Sequence, residues 1–125
     1  KLVPGADRAQ ADFLLERSDA LIVESFGVGG VPEEGGFYEC LRHWMAEGRI
    51  VVLTTQVPSE GSDLEVYHVG RGLKNDLGVL EAYDMTTEAV GAKLMWILGQ
   101  TRERETVERM FYTPVARDIL WPAEC

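Results

Sequence analysis

A glycine-rich segment follows an apolar run, and it is the part of the sequence best suited to hold a small ligand. The run Leu21-Ile22-Val23 leads into Gly27, Gly29 and Gly30. Glycine lets the backbone adopt positive φ values and approach a bound molecule closely. The spacing is not that of a dinucleotide-binding loop, and no Gly-Lys-Ser/Thr follows. The segment is either a tight strand-to-helix connection or, as we favour, a loop that lines a site for a small polar ligand.

Polar side chains end the next apolar run, at the positions Thr54-Thr55-Gln56. The carboxyl ends of parallel strands meet at one edge of a sheet, so these hydroxyls and this amide should face the glycine segment. They could hydrogen-bond a carboxylate or an amide of a ligand. The alternative is that they cap the following loop, residues 57–63. Glu60 and Asp63 lie in that loop, where a charge run after a turn is usually just solvated.

No set of residues makes a complete catalytic centre. Such a centre needs a nucleophile beside a base, two carboxylates in different environments, or a metal cluster. Cys40 and Cys125 are too few for a disulfide framework and lack the paired spacing of a zinc site, while His43 and His68 each stand alone. We predict reduced thiols, ordinary surface histidines, no metal, no cofactor and no catalytic residue.

The balance of charge disfavours nucleic acid as a partner. The formal net charge is -9 and the pI is near 4.6, whereas proteins that bind phosphate backbones gain affinity from clustered Lys and Arg.

The apolar runs are shorter than the roughly 20 residues of a membrane span, and no signal segment opens the chain. We therefore predict no membrane partner and a cytoplasmic location.

The length of 125 residues predicts one domain, residues 1–125. The opening Leu2-Val3-Pro4-Gly5 is typical of the end of a strand entering a turn, which suggests a piece of a longer protein. Helical and strand-like patterns then alternate, as in parallel strands joined by helices. The predicted elements are helix 7–17, strand 20–25, helix 37–47, strand 49–55, helix 64–74, strand 79–83, helix 86–100 and helix 103–111.

Hydrophobic spacing predicts the fold class. The helix that begins at Phe37 presents one apolar stripe, and the continuous runs Leu21-Ile22-Val23 and Ile50-Val51-Val52-Leu53 are typical of strands covered on both faces. We predict an α/β fold, a three-layer α/β/α sandwich with a small parallel sheet, flavodoxin/Rossmann-like. Thr86 should cap the long helix, while Gly48 should end an earlier one.

Four sequence blocks, in this order and spacing, resemble the C-terminal domain of bacterial type I L-asparaginases. The blocks are ESFGVGGVP at residues 24–32, VVLTTQ at 51–56, YHVGR at 67–71, and YDMTTEA at 83–89 with KLMWILGQ at 93–100.

The resemblance implies that the parent protein hydrolyses L-asparagine to L-aspartate and ammonia. The threonine nucleophile and a Thr-Lys-Asp set lie on an N-terminal catalytic domain, which this chain does not include. The small domain in the family completes the site of a neighbouring subunit in a homodimer, and two dimers form a tetramer. The chain alone is therefore expected to be inactive, with its own N-terminal domain and L-asparagine or L-aspartate as partners.

The resemblance also implies which residues line the substrate site. The glycine segment, with Gly27, Gly29 and Gly30, should reach its edge. Many members carry an asparagine where this chain has Gly30, and that side chain touches the amino end of the substrate. Backbone atoms or a nearby acid, Glu60 or Asp63, must then hold the ammonium.

Some type I enzymes bind asparagine at a second, activating site, which the resemblance places at Glu24, Thr55 and Gln56. The family has an arginine where this chain has Glu24. A glutamate repels the carboxylate that an arginine attracts. We predict that this allosteric response is absent or altered.

Two other functions remain open. One is a stand-alone flavodoxin-like binding or regulatory domain, and the other is the same domain in an amidotransferase subunit that acts on transfer RNA. An interface module should present an apolar patch, whereas an independent regulator should be a monomer. Trp121, Phe111 and Tyr112 are candidates for such a patch, with ordinary core packing as the alternative.

Overall fold

Three parallel strands and five α-helices alternate along residues 1–120, the part of the chain that the computed structural model describes. The helices are α1 (Arg8–Leu15), α2 (Phe37–Ala46), α3 (His68–Gly72), α4 (Thr87–Leu98) and α5 (Arg104–Tyr112). The strands are β1 (Ala20–Ser25), β2 (Ile50–Thr55) and β3 (Leu80–Glu81), and a π-helical turn, Leu73–Leu77, continues α3. The predicted alternation is confirmed.

Helices cover both faces of the sheet, whose strand order is β1-β2-β3. Val51 and Leu53 of β2 pack with α1 and α2 in one core cluster, whereas Ile50 and Val52 pack with α4 and α5 in another. Successive side chains of a strand point to opposite faces, so one apolar run can supply both clusters. The predicted three-layer α/β/α sandwich is confirmed.

The first strand is less covered than predicted. Leu21 and Ile22 are only half-buried, while Val23 is buried. β1 pairs with β2 along its whole length on one side, and it forms an edge of the sheet in the described residues. Leu21 packs against one core cluster and Ile22 against the other, so the prediction that this run is covered on both faces is correct in kind. The burial is less complete than in β2, because β1 is an edge strand.

Two elements are shorter than predicted for local reasons. The strand predicted over residues 79–83 is limited to Leu80–Glu81, and Tyr83 adopts a left-handed φ of 51°, which ends the extended backbone. The helix predicted from residue 64 begins at His68, since Asp63 Oδ1 accepts a 3.0 Å hydrogen bond from the Glu65 N–H and forms a turn there. The other elements match their predicted ends within two residues.

The predicted helix ends are confirmed. The Thr86 hydroxyl accepts a 3.2 Å hydrogen bond from the Ala89 N–H at the start of α4. Gly48, with φ 88°, follows α2 and supplies the left-handed residue that commonly ends a helix. These caps fix where each helix meets the sheet.

The predicted aromatic patch is not formed by the residues that the structure describes. Phe111 is fully buried, and the Tyr112 hydroxyl accepts a 2.9 Å hydrogen bond from the Glu81 N–H. The core-packing alternative is therefore correct for both. Trp121, like Cys125, lies outside the described residues. Within residues 1–120 we find no helix with the length and apolar character of a membrane span.

A carboxylate joins α1 to α2. Asp12 accepts hydrogen bonds from the Trp44 indole at 2.8 Å, the Arg8 guanidinium at 2.9 Å and the Cys40 thiol at 3.1 Å. The bond from Trp44, followed by those from Arg8 and Cys40, lowers the pKa of Asp12 from 3.8 to about 2. Burial, together with the neighbouring Asp12, raises the pKa of Cys40 to about 12. The Cys40 thiol is buried and free, as predicted.

Replacing Asp12 with asparagine should make the free energy of unfolding depend less on pH in the acid range. The folded pKa of Asp12, about 2, lies below its unfolded value of 3.8. The stability that this carboxylate contributes is thus complete above the unfolded pKa and is lost as the pH falls from about 5 toward 2. Urea unfolding across this pH range should show a smaller loss in Asp12→Asn than in the wild type. Equal losses of stability in the two proteins contradict the lowered pKa of Asp12.

Candidate functional site

The glycine loop, residues 26–30, folds back on itself directly after β1. The Phe26 N–H donates to the Gly30 carbonyl at 2.8 Å, and the Gly30 N–H donates to the Phe26 carbonyl at 2.7 Å. Gly27 has a φ of 51°, a conformation that favours glycine. The loop is therefore a closed turn at the carboxyl end of the sheet, where the sequence predicts it.

Thr55 fastens this loop to the end of the neighbouring strand. Its hydroxyl donates to the Gly27 carbonyl and accepts a 2.9 Å hydrogen bond from the Val57 N–H. The predicted proximity of Thr55 to the glycine segment is confirmed, and so is the alternative that Thr55 caps the following loop. Both hydrogen bonds are internal to the protein, so Thr55 positions the glycine loop.

The acidic loop, residues 57–66, lies against the glycine loop. The Asp63 N–H donates to the Val28 carbonyl at 2.6 Å. A Cβ atom added to Gly29 would stand 3.0 Å from Leu64 Cδ2 and 3.1 Å from the Asp63 carbonyl oxygen. The two loops therefore touch through backbone atoms, and only glycine fits at position 29 without movement of the acidic loop.

The two acids predicted to hold an ammonium are placed differently. Asp63 lies beside the glycine loop, but its carboxylate also accepts from the Glu65 N–H within its own turn. Glu60 is exposed in the turn of residues 58–60. Of the two, Asp63 is the acid that contacts the glycine loop.

Tyr67 is a polar residue of this edge that the sequence analysis did not single out. Its hydroxyl oxygen lies 3.3 Å from the position a Cβ atom of Gly27 would take, and the residue is 45% exposed. It immediately precedes α3, which presents it toward the glycine loop. The exposed Tyr67 thus places its phenol hydroxyl beside Gly27 at the same edge of the sheet.

An ion pair between the half-buried Lys74 and the buried Glu81 supports the acidic loop. Glu81, 1% exposed, accepts a 2.7 Å hydrogen bond from the Leu64 N–H through one carboxylate oxygen. Its other oxygen lies 3.0 Å from Lys74 Nζ, in the π-helical turn. Burial alone would lower the pKa of Lys74, but hydrogen bonds to Glu81 and Tyr83 outweigh the burial and raise this pKa. The pair fixes Leu64, and hence the loop that contacts Gly29.

A cavity of about 290 Å³ opens at the same end of the sheet. Glu24, Thr55 and Gln56 line it, as do Thr87 and Glu88 at the start of α4. The three residues placed together by the resemblance are thus neighbours in space. Among the described residues that line this cavity there is no lysine or arginine, and Glu24, Glu88 and Asp84 each bring a carboxyl group.

Two of these side chains already hold protein groups. The Gln56 amide donates to the Leu2 carbonyl at 2.7 Å and to the Glu24 carbonyl at 3.0 Å. Glu24 Oε1 accepts from the Thr87 hydroxyl at 3.2 Å. Gln56 therefore ties the beginning of the chain to the end of β1, while the Glu24 carboxylate faces the cavity beside α4.

The described residues do not supply a chemical centre of their own. Residues 1–120 contain no group of three His, Cys, Asp or Glu side chains placed to hold a metal ion. The hydroxyl of Ser25, next to the glycine loop, is fully buried and donates to the Thr54 carbonyl at 2.7 Å. His43 and His68 are exposed, as predicted.

These features define an α/β domain with two packed loops at the carboxyl edge of its sheet. The chain belongs to the glutaminase/asparaginase C-terminal domain family, which it matches over residues 1–111. It is 35% identical to the L-asparaginase of Thermococcus kodakarensis over 119 residues, covering 95% of the chain and 36% of that protein. It is 36% identical to a glutamyl-tRNA(Gln) amidotransferase subunit of Aeropyrum pernix over 120 residues, covering 95% of the chain and 27% of that protein.

Solved structures agree with this assignment. The thermostable L-asparaginase from Thermococcus kodakarensis superposes with a TM-score of 0.88 at 35% identity, covering 95% of the chain and 36% of that structure. L-asparaginase I from Vibrio cholerae O1 biovar eltor gives a TM-score of 0.83 at 31% identity and the same coverage. The chain spans about a third of these proteins, and the relatives include archaeal and bacterial members, so the match does not assign a bacterial type.

Proposed function

We propose that this chain is the small domain of an amidohydrolase that converts L-asparagine to L-aspartate and ammonia. The observation that carries the proposal is the family match over residues 1–111, together with 35% identity to an L-asparaginase. The domain contributes the glycine loop to the edge of a substrate site. A separate N-terminal domain supplies the nucleophile. The whole protein forms a homodimer or tetramer and is located in the cytoplasm.

The packed loops support a role in substrate positioning. Gly27 is exposed at the sheet edge and Gly30 is half-buried. Hydrogen bonds from Thr55 and Asp63 hold the loop in one conformation. A preorganised loop does not lose conformational freedom when the substrate binds. We propose that Asp63, rather than Glu60, faces the substrate ammonium, because Asp63 is the acid in contact with the glycine loop.

The longer protein that contains this domain tests the proposal. It should release ammonia from L-asparagine, and L-aspartate, as the product, should compete with the substrate. Asp63→Asn should raise KM for L-asparagine, while Glu60→Gln, an exposed acid of the same loop, serves as the matched control. Equal KM values in the two variants contradict the assignment of Asp63.

We further propose that the cavity beside Glu24 does not activate the enzyme. L-Asparagine carries a carboxylate, and the carboxylate of Glu24, where the resemblance has an arginine, repels it. The rate of ammonia release should then depend hyperbolically on asparagine concentration, with a Hill coefficient of about 1. A sigmoidal curve from the longer protein contradicts this prediction.

An amidotransferase subunit is the second candidate. It is favoured by the 36% identity to the glutamyl-tRNA(Gln) amidotransferase subunit of Aeropyrum pernix. The net charge of -9 weighs against contact of this domain with transfer RNA. Conversion of glutamyl-tRNA(Gln) by the longer protein with its cognate partner subunit, without ammonia release from free L-asparagine, supports this second function and overturns the first.

A further inference from the structure

The residues on both sides of Asp63 are held in place by another part of the chain. On one side, the Ser62 N–H donates to the Tyr83 carbonyl at 2.8 Å. On the other side, the Leu64 N–H donates to the Glu81 carboxylate at 2.7 Å. Glu81 is the last residue of β3, and Tyr83 follows it in the next turn. The position of Asp63 therefore depends on these two residues.

Tyr83 contacts the acidic loop from a constrained backbone conformation. Its φ of 51° is left-handed, which is uncommon for a residue with a large side chain. Such a conformation persists where the surrounding contacts fix it. The Tyr83 carbonyl oxygen lies 2.8 Å from the position that a Cβ atom of Gly61 would take. The acidic loop thus packs against Tyr83 as closely as a glycine allows.

Lys74 is the side chain that these supports share. Its Nζ lies 3.0 Å from the Glu81 carboxylate and 5.4 Å from the centroid of the Tyr83 ring. It also lies 3.4 Å from the carboxylate of Glu65, two residues after Asp63. Lys74 belongs to the π-helical turn, a rare helical form that is frequent at functional sites. One ammonium group therefore contacts the acidic loop itself and both residues that hold the loop.

We infer that Lys74 is a positioning residue for the acid that binds the amino end of the substrate. The inference rests on the proposed function, in which Asp63 faces the substrate ammonium. A carboxylate binds an ammonium group strongly only at a short hydrogen-bond distance, so a small displacement of Asp63 weakens the contact. Lys74 acts through Asp63 and not on the substrate. Its removal should therefore weaken the binding of those ligands that carry the amino group.

Inhibition of the longer protein by two dicarboxylates separates this role from a purely structural one. L-Aspartate carries an ammonium group, and succinate is the same dicarboxylate without it. In Lys74→Met/Glu81→Gln, the inhibition constant Ki of L-aspartate should rise about 10-fold, while the Ki of succinate should keep its wild-type value. The KM for L-asparagine should rise by a similar factor, with kcat close to that of the wild type.

A second ion pair of the same kind provides the matched control. Lys93 Nζ lies 2.8 Å from the Asp118 carboxylate, and the Lys93 side chain is 4% exposed. Lys93 belongs to α4, whose core cluster lies on the face of the sheet opposite to that of Leu64. Lys93→Met/Asp118→Asn makes the same chemical changes away from the acidic loop. It should leave both inhibition constants at their wild-type values.

A variant without the Asp63 carboxylate tests whether Lys74 acts through Asp63. Asp63→Asn alone should raise the Ki of L-aspartate. In this background, Lys74→Met/Glu81→Gln should cause no further rise, because the carboxylate that Lys74 positions is already absent. If Lys74→Met/Glu81→Gln does not fold, the exposed Glu65→Gln decides by the same comparison. A selective rise in the Ki of L-aspartate then supports the inference, and an unchanged Ki overturns it.

Three results overturn the inference while the proposed function stands. They are a wild-type Ki of L-aspartate in the Lys74 variant, an equal rise in Ki for both dicarboxylates, and a full additional rise in the Asp63→Asn background. Failure of the proposed function is a different result. The wild-type longer protein then releases no ammonia from L-asparagine, or Asp63→Asn leaves the KM unchanged, and either result overturns both proposals.

Discussion

Replacing Gly29 with alanine is expected to lower kcat/KM for L-asparagine about 100-fold in the longer protein that carries this domain. The new Cβ atom would stand 3.1 Å from the Asp63 carbonyl oxygen and 3.0 Å from Leu64 Cδ2. The acidic loop cannot move away freely, because the Leu64 N–H is bonded to the buried carboxylate of Glu81. The glycine loop therefore shifts, and the substrate edge shifts with it. Steady-state kinetics of ammonia release measure the effect.

Gly72 provides the matched control for this substitution. Its φ of -61° is helical, and a Cβ atom there would meet its nearest neighbours at 3.6 Å, an ordinary contact. Gly72→Ala should keep the wild-type kcat/KM. Thr55→Val is the second test, since it removes the hydroxyl that holds Gly27 and adds no bulk at the loop. Wild-type kinetics in folded Gly29→Ala and in Thr55→Val contradict a role for the glycine loop.

Replacing Lys74 with methionine is expected to lower the free energy of unfolding by about 3 kcal/mol. Lys74 Nζ lies 3.0 Å from the carboxylate of Glu81, which is 1% exposed. Without the ammonium group, the Glu81 charge remains in the core with no opposite charge beside it. Methionine keeps the length and the apolar contacts of the lysine stem, so the loss reports the charge rather than a cavity. Urea unfolding of the two proteins measures it.

The double variant Lys74→Met/Glu81→Gln separates the charge from the packing. An amide at position 81 still accepts the hydrogen bond from the Leu64 N–H and needs no counter-charge. We expect it to recover most of the stability lost in Lys74→Met. A double variant no more stable than Lys74→Met, or a single variant as stable as the wild type, contradicts the account of this ion pair.

Local signals explain why most of the fold could be predicted. β2 is a continuous apolar run that ends in threonines, and the threonine before α4 caps that helix. These features depend on neighbours within a few residues. The partial exposure of Leu21 and the choice between surface and core for Phe111 could not be predicted, because they depend on strand order and helix orientation, which are set by contacts distant in sequence.

Only some contacts of the candidate site could be predicted from the sequence, for the same reason. The approach of Thr55 to Gly27 could be predicted, since the carboxyl ends of adjacent parallel strands meet at one edge. The contact of Tyr67 with the glycine loop and the pairing of Glu81 with Lys74 could not. Both contacts depend on the course of the chain between β2 and β3. The hydrophobic residues of that segment have no regular spacing from which its course could be predicted.

Ammonia release from L-asparagine, measured side by side for the 125-residue chain and the longer protein, tests the central claim most directly. The claim is that this domain shapes the edge of an asparaginase site whose nucleophile lies elsewhere in the polypeptide. It predicts release by the longer protein and none by the chain alone. Release by the isolated chain, or no release by either protein, contradicts it.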